Sequence, residues 1–225
     1  MKPQSERTIA SMEPAGRGPA GSRVRIGFDD GSSLELPHEL AIGLGWHPGD
    51  RVSDREVERA RRRGEAVEAR EHALRLLEYQ ARTRSELRHR LERAGYRPPA
   101  VRFALHWCAA RGFLDDRRFA EAWLASRLTR PEYGSYRLRH ELIQRGINPA
   151  LAQELVEAAL PPETELERAV EAARRYWRRK GKAETLSPQE ALKLSRYLAG
   201  RGFPYATVRE AVRQLGGELL PEETP

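Results

Sequence analysis

The sequence predicts a mainly α-helical fold: three tandem three-helix repeats in an elongated, curved arrangement, with a small β-hairpin module at the N-terminus. The first observation is a ten-residue segment that recurs as LRHRLERAGY at 87–96, LRHELIQRGI at 138–147 and LSRYLAGRGF at 194–203. The second is that apolar residues follow each of these segments with i, i+3, i+4, i+7 spacing, which marks one face of a helix. Short helices with one apolar stripe must pack against neighbours, so tandem repeats favour an extended stack.

The part of the chain before the repeats shows two different patterns. Residues 1–22 are rich in proline, glycine, serine and charge, and we expect them to be disordered because they can bury little apolar surface. Residues 23–52 alternate apolar and polar positions on either side of an Asp-Asp-Gly turn at 29–31. This alternation predicts a small β-containing module.

Helical periodicity then sets the remaining boundaries. We expect a linker helix and the first repeat over 53–114, the second repeat over 115–162, the third over 163–217, and a flexible tail over 218–225. Gly64 falls within the first helical segment and could divide it in two, since glycine costs about 1 kcal/mol relative to alanine in a helix.

Capping residues and glycines mark the helix ends within the repeats. Residue pairs with capping-box spacing, together with an Asn-Pro start, predict helix N-termini at Ser53/Glu56, Thr83/Glu86, Asn148/Pro149 and Ser187/Glu190. Glycines that favour the left-handed conformation after a helix are predicted at Gly95, Gly112, Gly146, Gly202 and Gly216. Together they divide each repeat into three helices.

Composition narrows the class of protein. The chain is 32% charged, its mean hydropathy is −0.72, and it contains no apolar run long enough to span a bilayer and no signal-peptide pattern. We therefore expect a soluble, cytoplasmic, monomeric protein that does not associate with membranes. The single cysteine, Cys108, excludes an internal disulfide, and its place in the repeat register predicts a small core residue.

Two motifs in the middle of the chain carry a family resemblance. Leu114-Asp115-Asp116-x-x-Phe119-Ala120 is followed by Tyr133-Gly134-x-x-Arg137-Leu138-x-x-Glu141-Leu142-x-x-x-Gly146-Ile147, and this combination resembles the RecX family of recombinase regulators. The resemblance extends over roughly residues 70–216. It implies a tandem three-helix-repeat protein that binds the RecA filament on single-stranded DNA and restrains its strand exchange, ATP hydrolysis and coprotease activities.

The charge pattern independently suits a partner that presents phosphates along a groove. The net charge is +7, and the segment RRYWRRKGK at 174–182 combines two aromatic residues with six basic ones. Any single arginine could simply solvate a helix face, but as a set the basic residues predict binding. The candidate contacts to RecA or single-stranded DNA are Arg84, Arg88, Arg90, Arg137, Arg139, Arg174, Arg175, Trp177, Arg178, Arg179 and Lys180.

No pattern in the sequence predicts catalysis. Asp115 and Asp116 could hold a divalent metal, but a pair of aspartates just before a helix is more typical of N-terminal capping. The histidines lack metal-ligand spacing, and nucleotide-binding and nucleophile motifs are absent. We expect a protein that is not an enzyme, with no catalytic residue, no metal site and no cofactor.

A second function class stays open at this point. Three-helix units with a glycine turn can place a helix in the major groove of DNA, so the chain could be a helix-turn-helix transcriptional regulator. Such regulators usually dimerise to match a palindromic site. Three divergent units in tandem, without coiled-coil heptads, favour the filament regulator instead.

Overall fold

The computed structural model describes residues 6–18, 21–178 and 186–217 of the chain, and the described residues are mostly helical. The elements in chain order are β1 (Glu6–Gly18), β2 (Gly21–Phe28), β3 (Ser33–Pro37), α1 (His38–Leu44), β4 (Arg51–Ser53), α2 (Asp54–Tyr79), α3 (Arg84–Arg93), α4 (Pro98–Ala110), α5 (Asp116–Leu128), α6 (Ser135–Gln144), α7 (Pro149–Ala159), α8 (Pro162–Arg178), α9 (Pro188–Ala199) and α10 (Tyr205–Gln214). The chain divides into two compact units, Met1–Asp115 and Asp116–Pro225. A mainly α-helical fold with a small N-terminal sheet is thus confirmed.

The N-terminal module is a four-stranded antiparallel sheet in the order β3-β2-β1-β4. The strands predicted on either side of the turn at 29–31 are β2 and β3. The prediction of disorder over 1–22 was wrong for β1, whose backbone pairs with β2 from Ile9 to Gly18 and with β4 from Glu6 to Thr8. Strand pairing and the buried side chain of Ile9 order a segment whose composition is poor in apolar residues. Residues 1–5, 19–20 and the predicted flexible tail at 218–225 lie outside the described residues.

Helix α2 is continuous over Asp54–Tyr79, so Gly64 does not divide it in two. Gly64 is buried, and a Cβ added there would lie 2.8 Å from the Leu36 side chain of β3. The missing side chain therefore allows close packing of the helix on the sheet, which outweighs the poor helix propensity of glycine. The first half of α2 contributes Val57 to the core of the module, and its second half contributes Ala73 to the core of the first repeat.

Each repeat closes around its own apolar core. The cores form within the second half of α2 with α3 and α4, within α5–α7, and within α8–α10. The leucine pairs of the recurring segment are fully buried in all three cores: Leu87 and Leu91, Leu138 and Leu142, and Leu194 and Leu198. Cys108 is a buried residue of the first core, as predicted, and burial raises the pKa of its thiol.

The predicted helix ends are confirmed where the structure describes them. The five glycines expected to end helices all have a positive φ, between 73° and 90°: Gly95, Gly112, Gly146, Gly202 and Gly216. Ser53 and Thr83 form capping boxes with Glu56 and Glu86, and the Asn148 side chain accepts a hydrogen bond from the Ala150 N–H. Local sequence therefore fixes where the helices begin and end.

In the second compact unit, the end of α9 meets the start of α6 at two glycines. The Gly134 N–H donates to the Arg201 carbonyl at 3.0 Å, and the Tyr136 N–H donates to the Gly202 carbonyl at 3.0 Å. A Cβ added to Gly134 would lie 2.4 Å from the Gly202 backbone, and a Cβ added to Gly202 would lie 2.4 Å from the Arg137 nitrogen. Only glycine permits this approach, in which the turn after α9 supplies acceptors to N–H groups that the start of α6 leaves unpaired.

Helix α8 holds the same region through two buried or partly buried charged side chains. Glu165 is only 5% exposed, and its carboxylate accepts a hydrogen bond from the Ser135 N–H at 2.6 Å. Arg168 donates to the carbonyl of Leu128, the last residue of α5, at 2.9 Å and to the carbonyl of Arg130, two residues further on. Burial lowers the pKa of the Arg168 guanidinium, and neighbouring carboxylates oppose that shift. An anion at the start of α6 and a cation at the end of α5 both match the helix dipoles.

We predict that Gly202→Ala destabilises the protein more than Gly112→Ala. Both glycines have a left-handed backbone, with φ of 82° and 73°, so alanine is strained at either position by about 1–2 kcal/mol. The added Cβ has no neighbour within 4 Å at Gly112 but overlaps the backbone of Arg137 at Gly202. Urea denaturation followed by circular dichroism should show about 1–3 kcal/mol of additional loss for Gly202→Ala. Equal losses would contradict the close contact between α6 and α9.

We also predict that Glu165→Ala destabilises the protein, whereas Glu163→Ala does not. Both carboxylates lie in the first turn of α8, so both favour its dipole. Only Glu165 is buried and accepts the Ser135 N–H, and its removal leaves that donor without a partner at a cost of about 1–3 kcal/mol. The exposed Glu163 should change the unfolding free energy by less than about 0.5 kcal/mol. Similar effects of the two substitutions in the same urea titration would refute this role of Glu165.

Candidate partner-binding surface

Two stripes of side chains face each other on α5 and α6. Phe119, Trp123 and Arg127 are spaced four residues apart on α5, so they lie along one side of that helix. Arg137, Glu141 and Arg145 have the same spacing on α6 and at its C-terminal end. Tyr133, which precedes α6, completes the group, and we call these seven residues the repeat-2 array. All seven are partly exposed, so the array is a surface and not a core.

Arginines and aromatic rings alternate within the repeat-2 array. The Arg145 guanidinium carbon lies 5.9 Å from the centre of the Phe119 ring and 6.0 Å from that of Trp123. Arg127 lies 5.1 Å from the Trp123 ring and 5.6 Å from the Tyr133 ring. Arg137 lies 5.0 Å from the Tyr133 ring. Each guanidinium is thus attracted to the face of at least one ring, which restricts its orientation.

One carboxylate organises two of these arginines. Glu141 accepts a hydrogen bond from Arg137 Nε at 2.8 Å and lies 3.7 Å from Arg127. Three arginines and one glutamate leave the array with a net charge of +2. Guanidinium groups held in this way can still present N–H donors to a phosphate or a carboxylate in a forked arrangement. The surface therefore suits an anionic partner.

The other two repeats carry smaller clusters of the same kind. In the first repeat, Trp107 stacks on Phe113 with ring centres 6.0 Å apart, and Arg111 lies 4.0 Å from the Trp107 ring. In the third repeat, Tyr176 and Tyr197 stack at 4.1 Å, and Arg201 lies 4.2 Å from the Tyr197 ring. An arginine over an aromatic ring is thus a shared feature of the repeats.

The residues of α3 and α6 that are predicted to bind RecA or single-stranded DNA have different surroundings. Arg84, Arg88 and Arg90 are all exposed on α3, and the first two lie one turn apart on the same side. Arg88 and Arg90 have no carboxylate partner among the residues that the structure describes. On α6, only Arg137 belongs to the repeat-2 array, because Arg139 lies on another side of the helix, 5.2 Å from a tyrosine ring.

The residues of α8 that are predicted to bind lie near its C-terminal end. Arg175 forms an ion pair with Glu171, and Trp177 is half-buried against the core of the third repeat, so part of its ring serves packing. The exposed basic residues here are Arg174, Arg175 and Arg178. Arg179 and Lys180, also predicted to bind, lie outside the described residues. A binding role for these side chains stays a prediction.

Sequence reasoning missed most of the repeat-2 array. Trp123 packs against the core of its repeat and also lies under Arg127. Arg127, Tyr133 and Arg145 are not among the residues predicted to bind. The signal that could have found them is the four-residue spacing of an aromatic or charged residue on two consecutive helices.

Asp115 and Asp116 lie at the start of α5, the place in a helix for which the sequence predicts capping. Asp115 immediately precedes α5 and Asp116 is its first residue, the positions where a carboxylate favours a helix start. Across residues 6–18, 21–178 and 186–217, no group of three or more histidine, cysteine, aspartate or glutamate side chains could hold a metal ion. Within the same ranges, no helix is both long enough and apolar enough to cross a bilayer.

Comparisons with family models assign all three repeats. The model described as "RecX, first three-helix domain" matches residues 69–108, the second three-helix domain matches 115–160, and the third matches 163–212. These spans coincide with the helical repeats and leave the N-terminal sheet outside.

Similar proteins and solved structures agree with these matches. "Regulatory protein RecX" of Halorhodospira halophila is 38% identical over 149 residues, covering 66% of this chain and 89% of the relative. Its counterpart in Chromohalobacter salexigens is 36% identical over 143 residues, covering 64% and 90%. A crystal structure of regulatory protein RecX superposes with a TM-score of 0.69 at 20% identity, covering 92% of this chain and 99% of that one. RecX from Lactobacillus salivarius gives a TM-score of 0.60 at 18% identity, covering 67% and 96%. The chain therefore belongs to the RecX family of regulatory proteins.

Proposed function

We propose that this protein binds the RecA recombinase filament on single-stranded DNA and restrains its strand exchange, ATP hydrolysis and coprotease activities. Membership in the RecX family and the three three-helix units support the proposal. The observation that carries it is the repeat-2 array, because it offers an anionic filament a cationic surface whose arginines are already oriented. We further propose a cytoplasmic, monomeric regulator that acts without a catalytic step or cofactor.

The repeat-2 array suits the RecA filament because its DNA presents phosphates and its protein presents carboxylates. Arginines are effective partners for phosphates and for carboxylates, since the planar guanidinium donates two parallel hydrogen bonds. Partly exposed rings beside them can contact unstacked bases or apolar side chains. We propose that the exposed arginines of α3 and α8 add weaker contacts, including Arg88 and Arg175.

A helix-turn-helix regulator fits these residues less well. The third helix of the second repeat, α7, has the sequence PALAQELVEAA, with Glu154 and Glu157 on its surface and no lysine or arginine. A helix that enters the major groove approaches two rows of phosphates, and acidic side chains without basic ones disfavour that position. The basic surface of this repeat lies on α5 and α6 instead.

The proposal predicts that the protein lowers ATP hydrolysis by RecA assembled on single-stranded DNA. The double variant Arg127→Glu/Arg145→Glu should raise the concentration needed for half-maximal inhibition by at least about tenfold, because charge reversal repels the anionic partner. Steady-state ATPase assays over a range of protein concentrations, with filament persistence followed in parallel, measure this directly.

The matched control is the double variant Arg102→Glu/Arg209→Glu, which changes the net charge by the same amount at exposed positions of α4 and α10 outside the arginine and aromatic clusters. It should inhibit like the unchanged protein, and circular dichroism should show that both variants keep their helices. Wild-type protein without effect on RecA would refute the proposed function. A preference of about 10³-fold for one duplex sequence would instead support the helix-turn-helix regulator.

A further inference from the structure

A groove on the first compact unit lies between α1, α2 and the start of α4. Its volume is about 750 Å³. Apolar side chains from all three helices line it, among them Leu40, Val67 and Phe103. Phe103 is 44% exposed, although it is one of only five phenylalanines in a highly charged chain. We call this surface the Phe103 groove.

Arginines surround the apolar floor of the Phe103 groove. Arg62, Arg63 and Arg97 line it with one carboxylate, Glu65. Glu58 beside the groove pairs with Arg62 at 2.8 Å and with Arg97 at 3.4 Å, so three arginines and two glutamates leave a net charge of +1. Glu65 holds Arg97 in place, because its carboxylate accepts both the Arg97 backbone N–H and Arg97 Nε at 2.5 Å. Arg63 has no carboxylate partner among the residues that the structure describes. The rim is thus cationic and partly preorganised.

The proposed filament surface leaves this groove unexplained. The repeat-2 array belongs to the second compact unit, whereas the Phe103 groove is built from helices of the first. The basic run on α2, which includes Arg62 and Arg63, is not required by the core of the module or of the first repeat. An apolar concavity of this size with a charged rim is typical of a binding site.

We propose that the Phe103 groove binds an acidic peptide segment of a partner protein through apolar anchor residues. Leucine or phenylalanine side chains of the peptide enter the apolar floor, and its carboxylates form forked ion pairs with the arginines of the rim. Apolar burial supplies affinity, and the charges select an acidic sequence over a basic one.

A peptide fits this surface better than nucleic acid. Bases bind single-strand sites by stacking on a series of aromatic faces, and among the described residues that line the groove Phe103 is the only aromatic one. The remaining apolar lining is aliphatic, from residues such as Leu40 and Val67, and it complements branched side chains of irregular shape.

The test uses the full chain and the fluorescein-labelled peptide EELFEELLDE, with binding followed by fluorescence anisotropy. We expect saturable binding that weakens by more than about fivefold with Arg63→Glu and with Phe103→Ser. The first variant removes an ion pair with the peptide, and the second removes an apolar contact. The control peptide EESNEESSDE keeps the charge without apolar anchors and should bind at least about tenfold more weakly. The peptide titrations contain neither recombinase nor DNA, so their result is independent of the proposed filament binding.

Arg102→Glu provides the matched protein control. Arg102 is exposed on α4 next to Phe103 but does not line the groove, so its reversal should leave peptide binding within about twofold of the unchanged protein. If Arg102→Glu and Arg63→Glu weaken peptide binding equally, the peptide is attracted by the general positive charge of the protein and not by the groove. That result would overturn the proposal. Binding of a labelled oligothymidylate that is weakened by Arg63→Glu and Phe103→Ser, with no peptide binding, would assign the groove to nucleic acid instead.

Discussion

In the second compact unit, the N–H groups of Gly134 and Tyr136 at the start of α6 are bonded to the carbonyl groups of Arg201 and Gly202, which follow α9. No side chain separates the two backbones at Gly134 and Gly202. The Ser135 N–H between these bonds is bonded to the buried carboxylate of Glu165. A helix start normally leaves such donors to water or to its own capping residue, but Gly134 has no side chain to serve as one. The third repeat therefore completes a helix of the second.

This constraint bears directly on the proposed binding surface. Arg137 lies in the first turn of α6 and Arg127 in the last turn of α5, and both of those helix ends are held by side chains or backbone of the third repeat. The spacing between the two stripes of the repeat-2 array is thus set by contacts outside the array. Arginine side chains lose considerable conformational entropy when they are ordered by a partner, and prior ordering by rings and Glu141 reduces that loss on binding.

Features encoded within one or two helical turns could be predicted from the sequence. The buried leucine pairs, the capping residue Thr83 and the left-handed glycine Gly146 each depend on neighbours a few residues away. Features that depend on distant partners could not be predicted. Strand β1 is ordered by pairing with two other strands, Gly64 lies against Leu36 of the sheet, and the array joins two helices whose relative position only the folded chain defines.

The most direct test of this account is amide hydrogen exchange at the start of α6, measured residue by residue by NMR. Because the N–H groups of Gly134, Ser135 and Tyr136 have acceptors in the third repeat, they should exchange at least about tenfold more slowly than first-turn amides without such acceptors. Ala206 and Thr207 in the first turn of α10, where no side chain caps the helix, provide the comparison. Exchange at Ser135 and Tyr136 as fast as at Ala206 would contradict the claim that the third repeat holds α6 and, with it, the repeat-2 array.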